Sequence, residues 1–255
     1  MIRTDNWLDK DFDDPIKICQ HVKTSFSEDD SQKIYEYLMR YGMYKPNRRS
    51  YANFGNMKKQ GIWEKTDELF NKYRRKWNGP NVPIYIFPIA IMNQLFSARQ
   101  DVKSGIAFND KLFLFLSPLE DEKEIEALLV HEYHHTCRIN KQNKSMEEFT
   151  LLDSLIMEGL AENAVEECCG PSYRAKWCTY YTRKEILNYW ERYIQEKLQI
   201  KKTDKEHDEI LYGGRNIPKM LGYAAGYEIV TIYTEDNNLS MKQSLLLPAE
   251  GFVLI

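Results

Sequence analysis

Long apolar runs are missing from this 255-residue chain. Its most hydrophobic stretches, 82–92 and 111–119, fall short of the roughly 20 residues a helix needs to cross a bilayer, and prolines or charges interrupt them. No membrane span is expected. The opening residues, Met-Ile-Arg-Thr-Asp-Asn-Trp, soon turn acidic at Asp9, Asp11, Asp13 and Asp14, without an apolar core of signal-peptide length, so nothing marks the chain for export. Cysteine is scarce. Cys19, Cys137, Cys168, Cys169 and Cys178 form an odd set without C-x-x-C spacing, which suits reduced thiols in the cytoplasm and excludes a disulfide framework. An excess of basic charge is absent too: 35 Lys and Arg stand against 38 Asp and Glu, so a phosphate-backbone partner is not expected. The short basic clusters at 45–49 and 74–76 read as solvated faces. No repeat and no low-complexity tract interrupts the chain.

What is present reads as α+β, mostly helical, with a small antiparallel sheet. Ile34, Tyr35, Leu38 and Tyr41 share one face of a helix over 27–41, and a second helix covers 63–77 beyond a polar segment at 45–60. These predict an N-terminal helical lobe over 1–80, with the remaining domain over 81–255, the two either separate or one compact unit. Asn78-Gly79-Pro80-Asn81 is a turn, and the branched and aromatic run 82–87 is a strand. A hairpin spans 105–116 with Asn109-Asp110 at its turn and 112–116 as the buried returning strand. Ser117-Pro118-Leu119-Glu120 offers a capping hydroxyl, a first-turn proline and a glutamate three residues on, so a helix is expected from there to about Arg138. Another runs from about Met146 to Glu167, ending near Gly170-Pro171. Further helices are expected over 183–197 and 218–233, joined by a charged connection at 201–209.

The chemistry concentrates in His131-Glu132-Tyr133-His134-His135. His131 and His135 are four apart, so on a helix both imidazoles project from one face and can meet one ion. Glu132, offset by one residue, misses the ion but can hold a water on it and take its proton. His134 and Cys137 point elsewhere. A catalytic zinc takes three protein ligands and leaves one open position. Glu158, in Met157-Glu158-Gly159-Leu160-Ala161-Glu162, is the candidate third ligand, on a helix that a short loop folds back against the first. Gly159 and Ala161 would let these two helices approach closely at the metal. Glu162, on the same face as Glu158, can accept the outer N–H of a ligand histidine.

A helix bearing His-Glu-x-x-His followed by a helix with a glutamate ligand resembles the gluzincin metallopeptidases. Within that class, His-Glu-Tyr-His-His, then Glu-Gly-Leu-Ala-Glu, then Gly222-Tyr223-Ala224-Ala225-Gly226-Tyr227 is similar to the bacterial YjaZ-like family of predicted zinc-dependent proteases, over roughly 105–233. The resemblance implies a zincin-like core, Zn2+ held by His131, His135 and Glu158, Glu132 as general base, and a peptide or protein substrate. It also implies an extended peptide bound along an edge strand near the metal, for which 111–116 is the candidate. Tyr223 or Tyr227, one turn apart, could donate to the oxyanion that develops at the scissile carbonyl. The alternative is a zinc-binding regulatory protein on a catalytically retired peptidase scaffold.

Overall fold

The computed structural model describes residues 1–90, 103–142, 144–145, 147–214 and 216–253. Ile91 and Met92, the end of one apolar stretch, and Met146, the expected start of the second long helix, lie outside the described residues. The chain forms two compact units, Met1–Thr136 and Cys137–Ile255. The first unit holds the first helices together with the three strands of the sheet. Among the described residues no helix is long and apolar enough to cross a membrane.

In the first unit five helices precede the sheet: α1 (Thr4–Asp11), α2 (Pro15–Gln20), α3 (Ser31–Arg40), α4 (Arg48–Lys59) and α5 (Ile62–Trp77). Asp14 caps α2 with Pro15 in its first turn, Asp30 caps α3, and Asn47 and Ser50 form a reciprocal capping box at α4. The polar segment over 45–60 is thus largely helical: its caps, and the burial of Phe54 and Met57, outweigh its weak apolar pattern. Gly61 and Asn78, both left-handed, bound α5. Trp63 of α5 donates through Nε1 to Thr4 Oγ1 at 2.8 Å, and Thr4 donates in turn to the Ile86 carbonyl, which anchors α1 to the sheet.

The strands are β1 (Ile84–Pro88), β2 (Lys103–Ala107) and β3 (Leu112–Leu116), in spatial order β1-β3-β2. The expected hairpin is present: β2 and β3 pair antiparallel, with Ala107 opposite Leu112, and Phe108 N–H donates to the Lys111 carbonyl across the turn. The sheet is nevertheless mixed, because β1 runs parallel to β3 with Ile84 opposite Leu112. A wholly apolar strand such as Leu-Phe-Leu-Phe-Leu is best buried with a neighbour on each side. β3 is therefore central, which corrects the expectation that 111–116 offers an edge for peptide; of the two outer strands, β1 is buried and β2 is half-exposed along its length.

The long helix α6 (Lys123–Gln142) follows. It begins later than Ser117 because Leu119, its side chain buried, exchanges two hydrogen bonds with the Gln60 side-chain amide and so stays extended. Asp121 Oδ1 instead accepts from Lys123 N–H at 2.9 Å.

In the second unit, α7 (Leu151–Cys169) starts at a capping box of Thr150 and Asp153 and stops at Gly170, whose φ is 101°. It is buried over most of its length, with its acidic residues Glu158, Glu162 and Glu166 set along one face. Next come α8 (Arg183–Tyr189), which relaxes into a wide turn at Trp190–Ile194 and a tight one at Gln195–Lys197, then α9 (Lys205–Tyr212), α10 (Leu221–Asn237) and α11 (Met241–Ser244). The charged connection is thus partly helical, with His207, Ile210 and Leu211 of α9 buried. Glycines bring α7 and α10 into backbone contact: a Cβ at Gly159 would lie 2.2 Å from the Gly226 carbonyl oxygen, and one at Gly226 2.0 Å from that of Leu155.

Candidate metal centre

His131 and His135 stand one turn apart on α6. Their Nε2 atoms are 3.0 Å apart, with the rings crossed at 84°. Two nitrogens bound at 2.0–2.1 Å to a tetrahedral ion are separated by about 3.3 Å, so the pair is nearly spaced for a shared zinc. Glu158 on α7 supplies a carboxylate oxygen, and its ligand atom and those of the two histidines all lie within 4.8 Å of one another. Two imidazoles and one carboxylate are a donor set that zinc accepts while keeping a place for water. The residues fit the ion.

Glu132 is only 7% exposed and lies against β2. A Cβ built on Gly105 would stand 2.5 Å from Glu132 Cγ and 2.7 Å from both Cδ and Oε1, so only hydrogen at that position leaves room for the carboxylate. The sequence marks Gly105 merely as the start of a hairpin; a glycine inside a strand is the signal that something approaches its backbone closely. The other motif residues turn toward α5. Tyr133 stacks on Trp77 at 5.8 Å and donates its hydroxyl to the Pro80 carbonyl at 2.9 Å, while the buried His134 meets the same indole edge-on. Thr136 Oγ1 donates to the Phe108 carbonyl at 2.8 Å, which ties α6 to the hairpin turn.

On α7, Glu158, Glu162 and Glu166 recur every fourth residue and form an acidic column. Glu162, expected beside a ligand histidine, accepts the Ala175 N–H at 2.6 Å and faces Cys178 Sγ at 3.8 Å, so it holds the segment 171–179. Burial, then the Glu162 charge, pushes the Cys178 thiol far above its ordinary value. Glu166 accepts the Tyr227 hydroxyl at 2.6 Å and pairs with Arg174 at 3.1 Å; Arg174 also donates to Tyr227. Burial and this carboxylate push the Tyr227 hydroxyl up to about 12. Tyr223, one turn nearer the start of α10, packs edge-on against Trp177 at 5.0 Å and beside Tyr212. Since Tyr227 reaches Glu166, one turn of about 5.4 Å back along both helices sets Tyr223 nearer the level of Glu162 and Glu158. Gly159 has a different neighbour from the one expected. It receives α10 rather than α6, because its missing side chain is matched by that of Gly226.

The sequence model of one protein family, described as "Predicted Zn-dependent protease (DUF2268)", matches residues 62–254. The uncharacterized protein YjaZ of Bacillus subtilis (strain 168) is 38% identical over 220 residues, covering 86% of this chain and 84% of the relative. A second uncharacterized protein of the same organism, YjfC, is 24% identical over 139 residues, 51% of this chain and 46% of the relative. No solved structure matches.

Proposed function

Given that the chain belongs to the DUF2268 family of predicted Zn-dependent proteases, we propose that it is a cytoplasmic zinc-dependent peptidase acting on a peptide or protein substrate. The observation that carries this reading is the convergence of His131, His135 and Glu158 within 4.8 Å. When bound, zinc supplies Lewis acidity toward the scissile carbonyl and acidifies a water. Glu132 takes that water's proton and later passes it to the leaving amine, so no covalent intermediate is needed. Tyr223 is the donor we assign to the developing oxyanion, because the Tyr227 hydroxyl is committed to Glu166. Substrate backbone pairs with the outer edge of β2, the strand against which Glu132 lies, giving affinity with little side-chain choice.

The cavity that Gly105 leaves for Glu132 argues against a retired scaffold, since zinc retention alone has no use for that carboxylate. Zinc stoichiometry and cleavage of a fluorogenic peptide library test the assignment. Glu132→Gln keeps zinc and loses cleavage, Glu158→Ala loses most zinc, and His131→Ala loses both. A wild-type protein that takes up no zinc ends the reading; full cleavage by Glu132→Gln removes the general base.

A further inference from the structure

Ser154, His207 and Asp208 form a hydrogen-bonded chain in the second unit. Ser154 Oγ lies 2.9 Å from His207 Nε2, and His207 Nδ1 lies 2.9 Å from Asp208 Oδ1. These distances, in this order, are those of a nucleophile, a base and an orienting acid. Burial excludes that role: His207 is 0% exposed and Ser154 3%, so no carbonyl carbon can reach the hydroxyl. Asp208 Oδ1 is placed to accept from Nδ1–H, and Ser154 Oγ, which donates to the Thr150 carbonyl at 3.2 Å, lies within hydrogen-bond distance of Nε2.

The chain leading into this group is fastened to the start of α7. Leu151 N–H donates to the Ile200 carbonyl at 2.8 Å and Leu152 N–H to that of Leu198 at 3.1 Å, while Lys202 N–H returns to Phe149 O at 3.0 Å. Thr150 and Lys201 form an antiparallel bridge. The first N–H groups of a helix lack partners within it, so residues 198–202 complete the first turn of α7. His207 then bolts the second turn at Ser154. Glu158 stands four residues beyond Ser154, on the same face and one turn further along.

We propose that His207 is a positioning residue for the metal centre: through Ser154 it holds the stretch of α7 that presents Glu158. This rests on the assignment of Glu158 as a ligand. A carboxylate completing a site with two imidazoles must be held to within about 0.5 Å, and His207 adds a side-chain hydrogen bond at the second turn, beyond the backbone bonds that fasten the first. Supporting partners around metal ligands are worth roughly 10–100-fold in metal affinity; the effect here should fall near the lower end, because Ser154 acts one turn away.

The test measures zinc affinity by chelator competition, the thermal midpoint of the metal-free protein, and amide hydrogen exchange over 151–158. His207→Leu should bind zinc about tenfold more weakly and exchange faster in that stretch. His207→Gln, whose side-chain amide can donate to or accept from Ser154, should recover affinity more than thermal midpoint. Ser154→Ala removes a single buried oxygen and repeats the experiment if His207→Leu fails to fold. A merely structural role would lower the midpoint and leave the affinity of the folded protein unchanged. Affinity within twofold of wild type in the folded His207→Leu or Ser154→Ala protein overturns this proposal alone, whereas a wild type that takes up no zinc overturns the ligand assignment and this proposal with it.

Discussion

Gly105→Ala perturbs Glu132 without altering a titratable group. The new methyl carbon would sit 2.5 Å from Glu132 Cγ, where non-bonded carbons keep about 3.5–4.0 Å, so the glutamate side chain must shift by about 1 Å. The backbone at Gly105 lies in an ordinary strand, so alanine brings no conformational penalty and the effect is steric. Overpacking of this kind costs about 1–3 kcal/mol of stability, which a folded domain of this size tolerates. Catalysis is less forgiving. A misplacement of about 1 Å in a catalytic group costs on the order of 10²-fold in rate, equal to about 2.7 kcal/mol of barrier. The three atoms nearest the new methyl all belong to Glu132, so zinc should stay. The expected variant is therefore folded by circular dichroism, binds one zinc per chain, and cleaves peptide about a hundredfold more slowly. A folded, zinc-loaded Gly105→Ala protein whose kcat/KM lies within threefold of wild type would refute the role given to the Glu132 carboxylate.

Three other outcomes are expected. Burial by itself would raise the Glu126 carboxyl, but hydrogen bonds from Lys72, Tyr73 and Lys123 prevail and lower it from 4.5 to about 2. Its stabilisation is thus complete above the ordinary carboxylate range and lost as pH falls toward 2, with a ceiling of about 3 kcal/mol. The stability gap between wild type and Glu126→Gln in urea should therefore shrink between pH 6 and pH 2.5, and a constant gap contradicts this. Gly159→Ala drives a Cβ against the Gly226 carbonyl, a backbone atom that cannot rotate aside; the unfolding midpoint should drop by about 6–12 °C if the cost is near 3 kcal/mol, and an unchanged midpoint would show that the seam yields. Tyr223→Phe should lower kcat by about 10²-fold with KM little changed, whereas Tyr227→Phe should mainly reduce stability by leaving Glu166 and Arg174 without their phenol; equal catalytic losses would remove the distinction.

Local spacing made part of this protein readable in advance. His131, Glu132 and His135 are related by helical periodicity, Gly170 ends α7 where its φ of 101° suits glycine, and the 108–111 turn closes the hairpin. Other features depend on distant partners. The parallel pairing of β1 with β3 leaves no trace in either strand, and the extended course of Leu119 is set by Gln60, far back in the chain. The short helices α1, α2, α4 and α9 bury only a few side chains each, too few for a clear 3.6-residue pattern, and are held by caps and tertiary contacts. At the candidate site, Glu162 and Tyr227 stand out in the sequence, but their partners Ala175 and Arg174 could be found only once residues 171–179 were placed. Gly105 and His207 share that limitation: each matters because of one neighbour across the fold.

The glycine seam between α7 and α10 limits how this site can vary. With a carbonyl oxygen facing a bare Cα in both directions, neither helix can slide or rotate without a clash, so Glu158 and Tyr223 travel as passengers on one block. On the peptidase reading proposed above, a change in what the site accepts falls to parts that can change shape independently, such as the stretch carrying Arg174 and Trp177, which hydrogen bonds and ring contacts clip to the block.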